Sequence, residues 1–437
     1  MLKYSDLTRK QDSAIDHIFS NNASILVAPT GAGKTVICLT AVAELIKAGV
    51  IKRAIVACPA KVVSVWAKEA AKWQHTKHLN VVALTGDPVQ RVATAKGGAD
   101  IFVVSLNNLD SLLSVNHGAD GIIVDELSKA AGKQTKGLKT KSKGGCFVWR
   151  VGMTATPVAQ NFEKLYGMCR ILDGGVALGT NKDKYLQQYF NVDYSGYNYT
   201  LRHNAGQAIL NKIDHLVHMV EDTKEQDLPP IRHIEQRFDM PDDSRDIYET
   251  MKKEMVVKGI PAVNEAVKSG KLRQIASGFI YHERGGMTGA DVTETLDGDR
   301  VRHAQIWVDN LLGARGVIFY EFVAHLDVLK YTMSPMIFTT DIEEFKAGGK
   351  QILLAQINSV SHGVDGLQDV AHKALFYHPV WSRDAWEQAY GRLWRTGQKF
   401  PVDITTLICN DTLDDIVVSR VEDRGDYMKL FAAHFKK

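Results

Sequence analysis

Residues 28–35 read Ala28-Pro29-Thr30-Gly31-Ala32-Gly33-Lys34-Thr35. An apolar strand, Ser24–Ala28, runs into a glycine turn, a lysine and then an apolar helix from Val36 to Lys47. That order has one dominant physical use. The turn's backbone N–H groups cradle nucleotide phosphates, Lys34 reaches the β/γ oxygens, and the Thr35 hydroxyl helps hold Mg²⁺. The helix points its positive dipole end at the same anion. Thr30, Gly31, Ala32, Gly33, Lys34 and Thr35 are therefore the candidate nucleotide cradle.

Outward from this turn, short apolar runs alternate with amphipathic segments. Ala54–Cys58, Val81–Leu84, Ile101–Val104, Ile122–Asp125 and Phe147–Val151 read as buried strands, with helical spacing over Val62–Trp73 and Asn161–Leu172. The strands lack polar alternation, which predicts a parallel sheet covered on both faces. A charged stretch ending in Pro229-Pro230 reads as a hinge. Beyond it a second series is expected: strands Val317–Tyr320, Met336–Thr339, Ile352–Gln356, Ala374–Tyr377 and Asp403–Cys409, with helices Phe322–Tyr331, Asp384–Trp394 and Leu413–Val421. The fold class expected is α/β, in two doubly wound parallel-sheet lobes, residues 1–225 and 226–437, with ligands at the strands' carboxyl ends.

Composition narrows the class. The 437 residues are 45% hydrophobic and 24% charged, with a net charge of +3. These are ordinary globular values, and the charge alone does not announce nucleic acid. Five scattered cysteines, without a C-x-x-C pair, point to a reducing compartment rather than disulfides or a structural zinc. No stretch approaches a membrane span. A cytoplasmic or nuclear setting is expected, with no membrane partner.

Chemistry-bearing residues cluster at the predicted strand ends. Asp125-Glu126 closes a hydrophobic strand, where Asp125 suits Mg²⁺ and Glu126 suits the attacking water. Gly152–Pro157 places Thr154 and Thr156 at another strand end, either as a hydroxyl-bonded turn or as a relay to a second ligand. The run Gly132–Gly145 holds five lysines, Lys133, Lys136 and Lys139 among them, and reads as an exposed loop suited to a phosphate backbone. Arg392 and Arg395, three apart on the expected helix, suit the spread charge of a transferring γ-phosphoryl group. They read as arginine fingers supplied across an interlobe cleft that holds ATP. The turn Ser359–Leu367, with Ser361 and His362, can line either a nucleotide or a nucleic-acid backbone, with His362 read first as a capping group.

These motifs together resemble a superfamily-two nucleic-acid motor and, within it, the Swi/Snf-type branch of double-stranded DNA translocases. The likeness runs over nearly the whole chain. Ala-x-x-Gly-x-Gly-Lys-Thr is the superfamily-two form of the phosphate loop, and Leu7-Thr8-Arg9-Lys10-Gln11 is similar to the segment whose glutamine recognises adenine. Pro59…Trp66…Glu69…Trp73 resembles a stretch particular to the branch. Leu272-Arg273-Gln274, Val317–Phe322 and Gln388…Gly391-Arg392…Arg395…Gly397-Gln398 resemble its second-lobe motifs. Departures are Leu127-Ser128 after the acidic pair, where a small residue and a histidine are customary, and Asp365 in a turn without paired glycines.

The resemblance implies an ATP- and Mg²⁺-dependent DNA translocase, minimal and bacterial or viral in style, acting in host-cell cytoplasm if viral. It implies Gln11 on adenine, Asp365 near the nucleotide, and DNA, duplex or branched, against Lys61, Ser105, Thr154, the lysine loop and Ser359–His362. An RNA helicase and a non-hydrolytic ATP-switched clamp are the alternatives. A monomer suffices, since no heptad seam argues for a dimer.

Overall fold

The computed structural model describes the chain except residues 30, 116, 132–146, 159–161, 193–198, 221–227, 255, 258–259, 262–264, 283–291, 297–298, 361–365 and 436–437. Two compact units result: Met1–Thr223 with Arg424–Lys437, and Lys224–Asp423.

The first unit is built on a seven-stranded sheet, every pairing of which is parallel. Its strands lie side by side as Val81–Ala83, Ile101–Ser105, Ala54–Cys58, Gly121–Asp125, Trp149–Thr154, Ala23–Val27 and Val217–Met219. Successive residues feed two different cores. Ile55, Phe102, Val104, Ile122 and Val124 pack on one face, while Val56, Ile101, Val103, Ile123 and Val151 pack on the other. That double burial is why the strands read as unbroken apolar runs.

The end of the long helix Leu413–Phe435 belongs to this unit: Phe431 is fully buried in one of its cores, and Gln207 bonds His434 Nδ1 at 2.6 Å. Residues 424–437 thus group with the first unit, although the sequence reading ran the second lobe from 226 to the last residue.

The second unit holds a six-stranded sheet, also parallel throughout. Its order is Ile231–Phe238, Val402–Cys409, Lys373–Phe376, Gly316–Tyr320, Ile352–Gln356 and Phe338–Thr339. Two cores again sandwich it. Two doubly wound lobes are therefore present, as the alternation predicted.

One feature of the second lobe has no sequence signal. Arg300 is 1% exposed and donates to the carbonyls of Ala276, Tyr377 and Leu407 while pairing with Asp414. Each carbonyl belongs to a different segment, so one guanidinium ties the sheet's carboxyl end to its covering helices. Among the described residues, no helix is long and apolar enough to cross a membrane.

Candidate nucleotide site and nucleic-acid interface

The phosphate loop leaves strand Ala23–Val27, and Ala28 N donates to Thr154 O at 3.1 Å, continuing the sheet into the turn. Gly31 and Gly33 take φ of 91° and 83°, a left-handed backbone that only glycine adopts without strain. Gly33 is also the N-cap of helix Lys34–Lys47. A Cβ on it would meet Gln11 Nε2 at 2.3 Å, so any other residue there would displace the glutamine amide. Lys34 Nζ arches over the turn to the carbonyls of Ala28 (2.8 Å) and Pro29 (3.0 Å). Thr35 stands in the first turn of the helix. Thr30 lies outside the described residues.

Gln11 reaches this loop from helix Arg9–Ser20. Its Nε2 donates to Ala32 O at 3.0 Å, and its Oε1 accepts from Thr8 N at 2.9 Å in a capping box. The glutamine singled out by resemblance therefore touches the cradle itself.

The acidic pair closes strand Gly121–Asp125, two strands away from the loop's own in the sheet order. Burial first, and the neighbouring Glu126 charge second, push the Asp125 carboxyl up to about 6, against the downward pull of Lys34. The two motifs are thus electrostatically coupled. Glu126 takes φ 57°, ψ 55°, a left-handed conformation costing about 1–2 kcal/mol in a non-glycine residue. Its Oε2 is buried with no hydrogen-bond partner among the described residues. A strained backbone thus holds an unsatisfied carboxylate oxygen, an atom that is costly to bury. Glycine turn, lysine, threonine hydroxyl and two carboxylates form the donor set that a nucleotide and a hard, oxygen-loving cation require.

Thr154 is 1% exposed; its Oγ1 accepts from Thr156 N at 3.1 Å while its carbonyl holds Ala28 N. The hydroxyl-bonded turn is thus observed, and the same residue is wired to the phosphate loop. Ser105, also expected at a nucleic-acid rim, is buried at the end of its strand. Neither side chain is exposed. Lys61, in the turn Ala60–Val62, and Ser359, whose hydroxyl bonds Gln356 O at 2.8 Å, are exposed. Lys133, Lys136, Lys139, Ser361, His362 and Asp365 lie outside the described residues.

In the second lobe the arginines are not on a helix. Helix Arg383–Tyr390 is capped by Ser382 and ends at Gly391; the expected continuation to Trp394 is replaced by tight turns. A Cβ at Gly391 would meet Glu387 O at 2.8 Å, and Gly397 has φ 101°. Arg392 is buried and Arg395 half-buried in these turns. Gln398 locks them. Its Nε2 donates to Ala371 O and Leu393 O, both at 3.0 Å, and its Oε1 accepts from Lys399 N and Phe400 N. Trp394 Nε1 adds a bond to Pro229 O at 2.8 Å. The sequence reading quoted Gln398 without a role; its amide has every bond a side-chain amide needs to pin a loop.

A phosphate loop, a coupled acidic strand end and a second parallel lobe define a nucleotide hydrolase of the superfamily-two helicase type. The SNF2-related domain family matches residues 8–284, more than half of the chain, and the chain belongs to that family of DNA-dependent ATPases. The match ends before Arg392 and Arg395.

Relatives include protein p41 of Acyrthosiphon pisum secondary endosymbiont phage 1, 26% identical over 461 residues and covering 98% of both chains. DNA repair and recombination protein RAD54B of Gallus gallus is 24% identical over 163 residues, 35% of this chain and 17% of that one. DNA excision repair protein ERCC-6-like of Mus musculus is 26% identical over 195 residues, 41% and 16% respectively. The matched segments thus span under a fifth of either vertebrate relative. Among solved structures, the Sulfolobus solfataricus SWI2/SNF2 ATPase core in complex with dsDNA has a TM-score of 0.45 at 17% identity, over 98% of this chain and 94% of that one.

Proposed function

We propose that this chain is an ATP-driven translocase on duplex or branched DNA, whose output is branch migration, processing of forks or recombination intermediates, or displacement of bound proteins. The observation that carries the hydrolytic part is Glu126: a left-handed backbone presents a buried, unpartnered carboxylate oxygen beside Asp125. A non-hydrolytic ATP switch has no use for that strain.

Gly31, Ala32 and Gly33 bind the phosphates through backbone N–H groups, Lys34 neutralises their charge, and Gln11 reads adenine. Thr35 and Asp125 would hold Mg²⁺, which would supply positive charge to offset that of the phosphates. Glu126 orients water and takes its proton. Arg392 and Arg395 stabilise the charge on the transferring phosphoryl group, and Gln398 keeps both arginines in place. Lys61 and Ser359 face the DNA backbone. Localisation follows the phage-like relative: cytoplasm of a bacterial host.

The test is steady-state ATP hydrolysis by the wild type and Lys34→Ala, with no polymer, single-stranded DNA, duplex DNA, a four-way junction and single-stranded RNA. Stimulation by duplex or junction DNA, lost in Lys34→Ala, supports the translocase. Stimulation by RNA alone contradicts it.

A further inference from the structure

Gln11 lies in the first turn of a helix, the part of a helix that frays most readily. With Oε1 taken by Thr8 N and Nε2 by Ala32 O, its amide keeps one N–H and one oxygen lone pair. Adenine offers a matching acceptor and donor, N7 and the 6-amino group; guanine offers two acceptors. Discrimination therefore depends on where this one amide is held.

An unassigned corner of the first lobe holds it. Tyr4 OH donates to Asp12 Oδ1 at 2.8 Å, one residue beyond Gln11. Tyr4 is itself placed by a short parallel bridge between Leu2 and Trp73: Leu2 N donates to Lys72 O at 2.9 Å, and Gln74 N to Leu2 O at 2.8 Å. The Tyr4 ring meets His75 edge-on at 5.2 Å, and Trp73 meets the same imidazole at 5.6 Å. His75 Nε2 lies 2.9 Å from Thr40 Oγ1, on the helix that follows the phosphate loop. Trp73 Nε1 donates to Glu69 at 3.0 Å. One corner thus ties the glutamine helix, the phosphate-loop helix and the helix Val63–Lys72 together.

We propose that Tyr4, Asp12 and the Trp73–His75 corner are a positioning clamp that sets nucleobase selectivity by fixing Gln11 relative to the phosphate loop. The proposal rests on the assignment of Gln11 to adenine. Although Tyr4 is 43% exposed, the partial desolvation of its phenol, and then the bond to Asp12, push it up to about 12, so it stays a donor throughout the working range. The far end of the helix is secured separately by Trp149 Nε1 on Ile18 O at 2.7 Å. Loss of the Tyr4 bond therefore lets the glutamine end pivot without releasing the helix.

The test is equilibrium titration of the full chain with ATP and with GTP, alongside thermal melts. The variants are Tyr4→Phe, Asp12→Ala, Asp12→Asn, Gln11→Ala and the double variant Tyr4→Phe/Gln11→Ala. Tyr4→Phe and Asp12→Ala are each expected to lower the ATP:GTP affinity ratio about three- to tenfold, the value of one hydrogen bond. Asp12→Asn, which keeps an acceptor oxygen, retains the ratio, and the double variant is no worse than Gln11→Ala. If Gln11→Ala collapses the ratio while Tyr4→Phe and Asp12→Ala leave it unchanged, the clamp is wrong. If Gln11→Ala itself leaves it unchanged, the adenine assignment fails first.

Discussion

The acidic turn of the first lobe and the arginine turn of the second hold charged side chains differently, one at the end of a strand and the other after a helix. Glu126 sits on a strained left-handed backbone with an unsatisfied buried oxygen, beside an Asp125 whose carboxyl is pushed up to about 6. The arginine turn is pinned through its backbone: Gln398 alone makes four hydrogen bonds, two given and two accepted, and glycines occupy the positions where a Cβ would collide or strain. On the proposed function, the Glu126 oxygen left without a partner is the one that would take up the attacking water. Arginines, with many donors and a fixed charge, need a rigid mount instead.

The contrast predicts that the acidic turn breaks chemistry and the second lobe's locks break structure. Glu126→Gln should lower the DNA-stimulated kcat by about 10²- to 10⁴-fold while ATP still binds. A variant that hydrolyses at the wild-type rate would remove the functional meaning of the orphaned oxygen. Arg300→Met leaves Asp414 buried and unpaired, and urea unfolding should show the second lobe weakened by about 3–5 kcal/mol. Arg300→Met/Asp414→Leu should recover only the share due to the unpaired charge, since the carbonyls of Ala276, Tyr377 and Leu407 and the Cys409 N–H still lose their partners.

Gln398→Leu strips partners from buried backbone groups. It should cost about 1–3 kcal/mol and lower kcat, with the ATP dissociation constant unchanged. A kcat equal to wild type would mean that the arginine turn needs no lock.

The smallest effect is on pH. His325 is fully buried, and desolvation, with His378 next, holds its imidazole well below the usual 6.5. The unfolded chain binds the extra proton, so this stability is complete above about pH 6.5 and is lost as pH falls below it. His325→Phe should flatten the fall in melting temperature between about pH 7 and 5.5. His378, facing Glu321 and Arg273, is held low as well and adds to the same fall, as do the partly buried His17 and His218 among others.

What the sequence revealed follows from burial and backbone chemistry. Strands such as Ala54–Cys58 and Ile352–Gln356 were legible because both faces are covered, which leaves continuous apolar runs. Strand Ile231–Phe238 was missed: it lies at the sheet's edge, most of its side chains are exposed, and Ile-Arg-His-Ile-Glu-Gln-Arg-Phe reads as polar. Val217–Met219, at the edge of the first sheet, is too short to signal. The phosphate loop and Asp125-Glu126 were legible because glycines and paired acids have few other uses there. The left-handed Glu126 was not, since glutamate carries no preference for that region. Nor were the Gln398 lock, whose partners are backbone atoms, and the Tyr4–Asp12 bond, which joins two side chains eight residues apart across a turn into a helix.

The most direct test of the central claim is displacement of a third strand from a DNA triplex by the wild type and by Glu126→Gln, with ATP. Motion along duplex DNA powered by hydrolysis predicts that the wild type strips the third strand and that Glu126→Gln, though ATP-bound, does not. Equal displacement by both, or none by a wild type whose hydrolysis duplex DNA stimulates, would contradict it.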